Sequence, residues 1–229
     1  MTTPFVIPPA STQFLLCIAA DWDSPAGELQ CFTRNADGNW QPAFAPLPVM
    51  LGRSGLAWGR GLHPLMAGTA KQEGDGRAPA GVFAITALFG YAPADAPLPR
   101  AARLPYHPAR PGLKCVDDPK SGHYNCIVDA AGVPSDWASC EDMLRDDRRY
   151  ELGAVVAHNM NPPLPGAGSC IFLHVWETPE TPTSGCTAMV LDHMEEIARW
   201  LDAARAPVLV QLPESEYARH QQAWGLPRR

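Results

Sequence analysis

The apolar positions of this chain fall into short runs broken at close intervals by turn residues, which points to strands rather than long helices. Residues 14–18 and 29–33 are β-prone runs separated by a polar stretch holding Asp21, Asp23, Ser24, Pro25 and Gly27, and they predict a hairpin. Residues 40–51 run through Pro42, Pro46 and Pro48, which suits an edge strand or an extended segment. Four glycines in residues 52–61 predict a loop, and the turn Gly74-Asp75-Gly76 precedes an alternating strand at 81–86. Residues 91–111 hold six prolines and read as an irregular excursion. Residues 140–152 have the charge spacing of a helix, whereas 155–159 and 170–176 are β-like and are divided by the Pro162-Pro163-Leu164-Pro165-Gly166 turn. Asp192 and Glu195 have capping-box spacing, and Met194, Ile197, Ala198 and Leu201 follow on one face, so a helix is predicted over 193–204. A strand at 207–213 closes the pattern, and the tail beyond it reads as a short surface helix or a disordered segment. The fold class is mainly β with a few helices, a sandwich or closed sheet. No repeat or composition shift divides the chain, so residues 1–229 are expected to form one domain with its core at about 12–213.

Composition narrows the function classes. A formal net charge of −6 and only 18% charged residues leave no basic field to hold phosphate backbones, which argues against nucleic acid as a partner. The early apolar run at 14–20 is too short to cross a bilayer, and the N-terminal residues lack a basic leader region. The seven cysteines contain no C-x-x-C pair, so a zinc knuckle has no support, and neither metal nor cofactor is expected. An odd count suits one reactive thiol plus up to three disulfides, or seven reduced thiols. Among pairings, Cys17 with Cys31 across the first hairpin is the first expected.

Chemistry concentrates between Ser169 and Met189. A strand ends in His174-Val175-Trp176, and a short loop leads through Thr183, Ser184 and Gly185 to Cys186. A thiol needs a nearby base to act as a nucleophile at neutral pH, and a histidine at a strand end is rigid enough to serve. Gly185 permits a tight turn in which amides near Ser184, Gly185 and Cys186 can face a developing oxyanion. A disulfide-bonded or simply packed Cys186 is the plain alternative. Tyr124-Asn125, His158-Asn159, Trp176 and Arg60 are further candidates for substrate contact, each with a packing or surface reading beside it. Arg53 could likewise pair with a substrate carboxylate. His63, His107, His193 and His220 have no spacing partner.

Phe172-Leu173-His174 followed by Thr183-Ser184-Gly185-Cys186 resembles the His…[Ser/Thr]-His-Gly-Cys signature of the YkuD-type L,D-transpeptidases, cysteine enzymes that cross-link peptidoglycan stem peptides. Residues 73–83, with Ala78-Pro79-Ala80-Gly81-Val82-Phe83, are similar to that family's Gly-x-x-Thr-Pro-x-Gly-x-Phe motif. The resemblance spans roughly residues 51–212. It implies a single mostly β domain, peptidoglycan stem peptides as substrate and a periplasmic location. The implied chemistry is two-step acyl transfer in which His174 takes the Cys186 proton, the Val175 carbonyl orients the imidazole, and Ser184 and Gly185 border the oxyanion. Thr183, Tyr124, Asn125, His158, Asn159, Trp176 and Arg60 are the residues expected to meet substrate.

Two positions depart from the family pattern. Its histidine two residues before the cysteine is Ser184 here, and its arginine two residues after is Ala188. Those positions help shape the family's donor site, so a different donor peptide or bond is expected, and Tyr124-Asn125, His158-Asn159, Pro165-Gly-x-Gly-Ser169 and the 56–64 loop are similar to a divergent subgroup associated with cross-links from L-Ala to diaminopimelate. The rival readings are a cell-wall peptide- or glycan-binding module with Cys186 merely bonded, and an L,D-carboxypeptidase using the same pair. The loops at 52–61, 91–111 and 162–168 are expected to wall a peptide cleft. Oligomeric state is left open.

Overall fold

A computed structural model describes residues 5–228. The strands are β1 (Gln13–Ala19), β2 (Ala26–Arg34), β3 (Trp40–Pro42), β4 (Leu47–Met50), β5 (Leu56–Trp58), β6 (Ala78–Gly90), β7 (Tyr106–Pro108), β8 (Leu113–Val116), β9 (Ile127–Asp129), β10 (Cys140–Asp142), β11 (Leu152–Val156), β12 (Phe172–Val175), β13 (Thr187–Met189) and β14 (Val208–Pro213). The helices are α1 (Pro97–Ala101), α2 (Leu191–Trp200) and α3 (Glu214–Trp224). The main sheet runs β1-β14-β6-β11-β12-β13-β4-β2, and β2 pairs back with β1, so it closes on itself. The fold is mainly β with a closed sheet, as the sequence pattern predicts.

All seven residues of β1 are buried, as are all six of β14, which explains why both read as continuous apolar runs rather than alternating ones. They pair in parallel, Phe14 beside Val208 through Ala19 beside Pro213. The predicted hairpin is β1–β2, and the main core packs Phe14, Phe32, Phe83 and Leu173 with Met194 and Ile197 of α2. A second sheet, β10-β8-β9, forms a small lobe outside this body. Its Leu113 and Cys115 join Phe89, Met143, Tyr150, Cys170, Phe172 and Cys186 in a separate apolar cluster. The lobe therefore roofs one face of β12 and β13.

Several expectations change. Residues 140–152 are not helical: β10 is followed by turns, and Arg148 has φ +59°, a left-handed conformation that ends any helix. The 52–61 loop contains β5, and the proline-rich excursion contains α1 and β7. Helix α2 starts after Val190 with no side-chain cap and ends at Trp200, because Asp202 instead caps a 3-10 turn at Ala203–Arg205. The tail is helix α3, ended by Gly225 at φ +69°. Cys17 and Cys31 are reduced and buried: the register sets Cys17 opposite Leu29 and Cys31 opposite Leu15, so the two thiols are offset along the hairpin. The disulfide among the described residues is Cys115–Cys170, which ties β8 of the lobe to the segment before β12. Among the described residues, no helix is long and apolar enough to cross a membrane.

Candidate active site

Strands β12 and β13 run parallel, with Leu173 beside Thr187, His174 beside Ala188 and Val175 beside Met189. Cys186 stands one residue before β13, level with Phe172, so the two-residue alternation of strands puts Cys186 and His174 on the same sheet face. Both are buried, at 8% and 6% exposure, and both line one cleft of about 130 Å³. Thr183 holds the turn before Cys186: its Oγ1 accepts from the Gly185 N–H (3.1 Å) and donates to the Cys186 carbonyl (2.7 Å). A Cβ at position 185 would lie 3.1 Å from the Arg77 carbonyl, so glycine lets this turn pack close. Cys186 Sγ accepts from the Phe172 N–H (3.4 Å) and lies 3.5 Å from the Cys170 carbonyl, to which its thiol donates.

His174 Nδ1 lies 2.8 Å from the Val175 carbonyl. A carbonyl can only accept, so Nδ1 carries the ring proton and Nε2 is the basic nitrogen. Burial lowers the His174 pKa to about 4, against the Val175 hydrogen bond, which raises it. Burial also pushes the Cys186 thiol up to about 12; the Glu141 charge adds to this, and the Phe172 N–H opposes it. Burial thus disfavours the charged form of both groups.

The far wall of the cleft comes from the lobe and the turns after it. The Tyr150 hydroxyl donates to the Glu141 carboxylate, and the Tyr150 ring stands edge-on to His174 with centroids 5.4 Å apart. Arg145 lies over the Tyr150 ring (5.1 Å) and pairs with Asp147 at 2.5 Å. Arg149 pairs with Asp147 and Glu177. Sequence reasoning missed Glu141, Arg145, Arg149 and Tyr150, because their charges read as a solvated helix face. The cleft is walled by residues 141–150, 174–177 and 181–188 rather than by the 52–61, 91–111 and 162–168 loops. From the first of these Gly52 bridges to Thr183, and Arg53 donates to Ser184 Oγ at 3.2 Å.

Of the other predicted residues, Thr183, Ser184 and Trp176 line the cleft, and the rest do not. Asn125 donates from Nδ2 to the carbonyls of His158 (2.9 Å) and Asn159 (2.8 Å), and its Oδ1 accepts from the Cys170 N–H (2.9 Å). Asn125, Asn159 and Cys170 all have positive φ, at 62°, 52° and 52°. Such conformations persist in non-glycine residues only where the surroundings hold them, which here are this amide network and the disulfide. The result aims the Cys170 carbonyl at Cys186. Asn159 further donates to Gly168 and Leu164, His158 bonds the Ala167 carbonyl (2.9 Å) and accepts from the Arg60 N–H (3.3 Å), and the Tyr124 hydroxyl donates to Glu73 (2.5 Å). Arg60 borders separate pockets.

A profile of the YkuD L,D-transpeptidase catalytic domain matches residues 33–210, from the first hairpin through β14. The chain belongs to the YkuD family. No curated protein matches it significantly. Among solved structures it is similar to the helical cell shape determining protein Pgp2 from Campylobacter jejuni, at 14% identity and a TM-score of 0.43, with 87% of this chain covered. This YkuD chain covers 47% of that structure, so it spans about half the length of the neighbour it matches. Among the described residues, no group of side chains could hold a metal ion.

Proposed function

We propose that this YkuD domain is a cysteine L,D-transpeptidase acting on peptidoglycan stem peptides, with Cys186 as nucleophile and His174 as its base. The observation that carries this reading is the placement of a reduced Cys186 and of His174, its Nδ1–H tied to the Val175 carbonyl, on one sheet face in one cleft. Nε2 of His174 takes the thiol proton as sulfur attacks a stem-peptide carbonyl, then gives that proton to the departing amine, leaving a thioester. Gly185 N–H is engaged by Thr183, so the Ser184 and Cys186 amides are the proposed oxyanion donors. Thr183 and Trp176 border the bound peptide, whereas Tyr124, Asn125, His158 and Asn159 act from behind by bracing Cys170. The departures at Ser184 and Ala188 fit a donor other than the family's usual one, and the subgroup resemblance of residues 56–64, 124–125, 158–159 and 165–169 favours the cross-link from L-Ala to diaminopimelate. A disulfide joining the lobe to the catalytic strands fits an oxidising, extracytoplasmic setting such as the periplasm.

Intact-mass measurement after incubation with a carbapenem, an acylating probe, tests the nucleophile. A single covalent adduct is expected on the wild type and none on Cys186→Ala; no adduct on folded wild-type protein overturns the reading. Digestion of sacculi treated with the enzyme then identifies the new dimer by mass.

A further inference from the structure

The lobe places a carboxylate beside the nucleophile where chemistry on the donor half of the reaction needs none. Glu141 lines the same cleft as Cys186 and His174, and the Tyr150 hydroxyl holds it in place. Its negative charge opposes ionisation of Cys186. Asp117 and Glu73 add further negative field at Glu141, with Arg145 as the cation opposing them, and Asp117 Oδ1 is buried without a hydrogen-bond partner. These acids do not form a metal-binding group.

The second half of acyl transfer brings an ammonium group. An acceptor amine arrives at neutral pH as R–NH₃⁺, and becoming an amide costs it two protons. One returns to the Cys186 sulfur through His174 as the C–S bond breaks, its electron pair leaving with sulfur and the N–C bond forming. The other needs a separate base. We propose that Glu141, held by Tyr150, is the acceptor subsite: its carboxylate binds the ammonium of the incoming amine and takes the first proton, releasing the free amine to attack the thioester. This rests on the acyl-transfer reading above. Burial raises the Glu141 pKa, which makes it a better base than an exposed carboxylate.

The test separates the two half-reactions, using isolated disaccharide-tetrapeptide as donor, with free diaminopimelic acid or hydroxylamine as acceptor. Hydroxylamine is already uncharged at neutral pH and needs no such base. Glu141→Gln is expected to form the acyl-enzyme as fast as wild type or faster, because a charge opposing the thiolate is gone. Its ratio of transfer to hydrolysis with diaminopimelic acid should fall about 100-fold at pH 7 and recover as pH rises, while transfer to hydroxylamine persists. A merely structural role would slow acylation and both transfers together, and that outcome overturns the proposal, as does an unchanged ratio. Tyr150→Phe keeps the ring packing but frees Glu141, and is expected to shift the ratio in the same direction; it serves if the Gln variant fails to fold. Failure of the wild type to form any acyl-enzyme would show before a variant is made, and would overturn the acyl-transfer reading and this one with it.

Discussion

Asn125 braces the segment behind Cys186 from outside the cleft. Its one side chain satisfies two carbonyls and the Cys170 N–H, and Cys170 presents its own carbonyl to Cys186. Truncation would leave three buried polar groups unpaired, each costing about 1–3 kcal/mol. Asn125→Ala is therefore expected to lower the thermal midpoint and to slow acylation of Cys186, read by melting and by the time course of adduct mass. An unchanged acylation rate in a folded variant would show that the Cys170 carbonyl is not a determinant of the thiol. At this scale the spacing of His174 and Cys186, with the glycine between them, anticipated that the two would share one cleft. It could not assign Asn125 or His158, since a polar residue after a strand looks the same whether it meets substrate or the chain's own carbonyls.

At the scale of elements, the apolar runs made β1, β12 and β14 legible, because strands buried on both faces need no partner to be recognised. The lobe was not legible. Its strands are three or four residues long, and residues 141–151 carry charges that pair locally, Arg145 with Asp147 and Arg148 with Glu151, so they mimic a helix face. The Cys115–Cys170 bond is one tie of the lobe to the site, and it closes a loop of 55 residues. Chain-entropy reasoning gives a loop of this length about 4 kcal/mol. The double variant Cys115→Ser/Cys170→Ser is expected to melt earlier and to open the Cys186 side of the cleft, read as faster alkylation of Cys186 by iodoacetamide at pH 8. Alkylation at the wild-type rate would mean that packing of Leu113, Met143 and Tyr150 suffices to seat the lobe.

For the whole molecule, buried imidazoles set the acid limit. Burial lowers His63, His158 and His174 to about 4 from an ordinary 6.5. Between those values the unfolded chain takes up protons that the folded chain refuses. Stability from these rings is thus fully present above about pH 6.5 and drains away as pH falls towards 4. A shift of this size corresponds to about 3 kcal/mol per ring. Glu141, whose pKa is raised, works in the opposite sense over part of the range. Melting at pH 7.5 and 5.0 is expected to differ by about 10 °C, the lower value at pH 5.0. A midpoint that does not fall would mean that these rings are protonated and solvated in the folded state.

Closure of the sheet has a consequence for how the molecule is made. The seam that shuts it joins residues 14–19 to residues 208–213, almost the full chain apart. Loop-closure entropy must be met before such a pairing gives anything back, so the ring shuts late. Until β14 arrives, β1 and β6 each present an unpaired edge, although β11, β12 and β13 have already been synthesised. A chain emerging from a ribosome or a translocation pore thus carries both His174 and Cys186 well before it has a finished wall to stand them on.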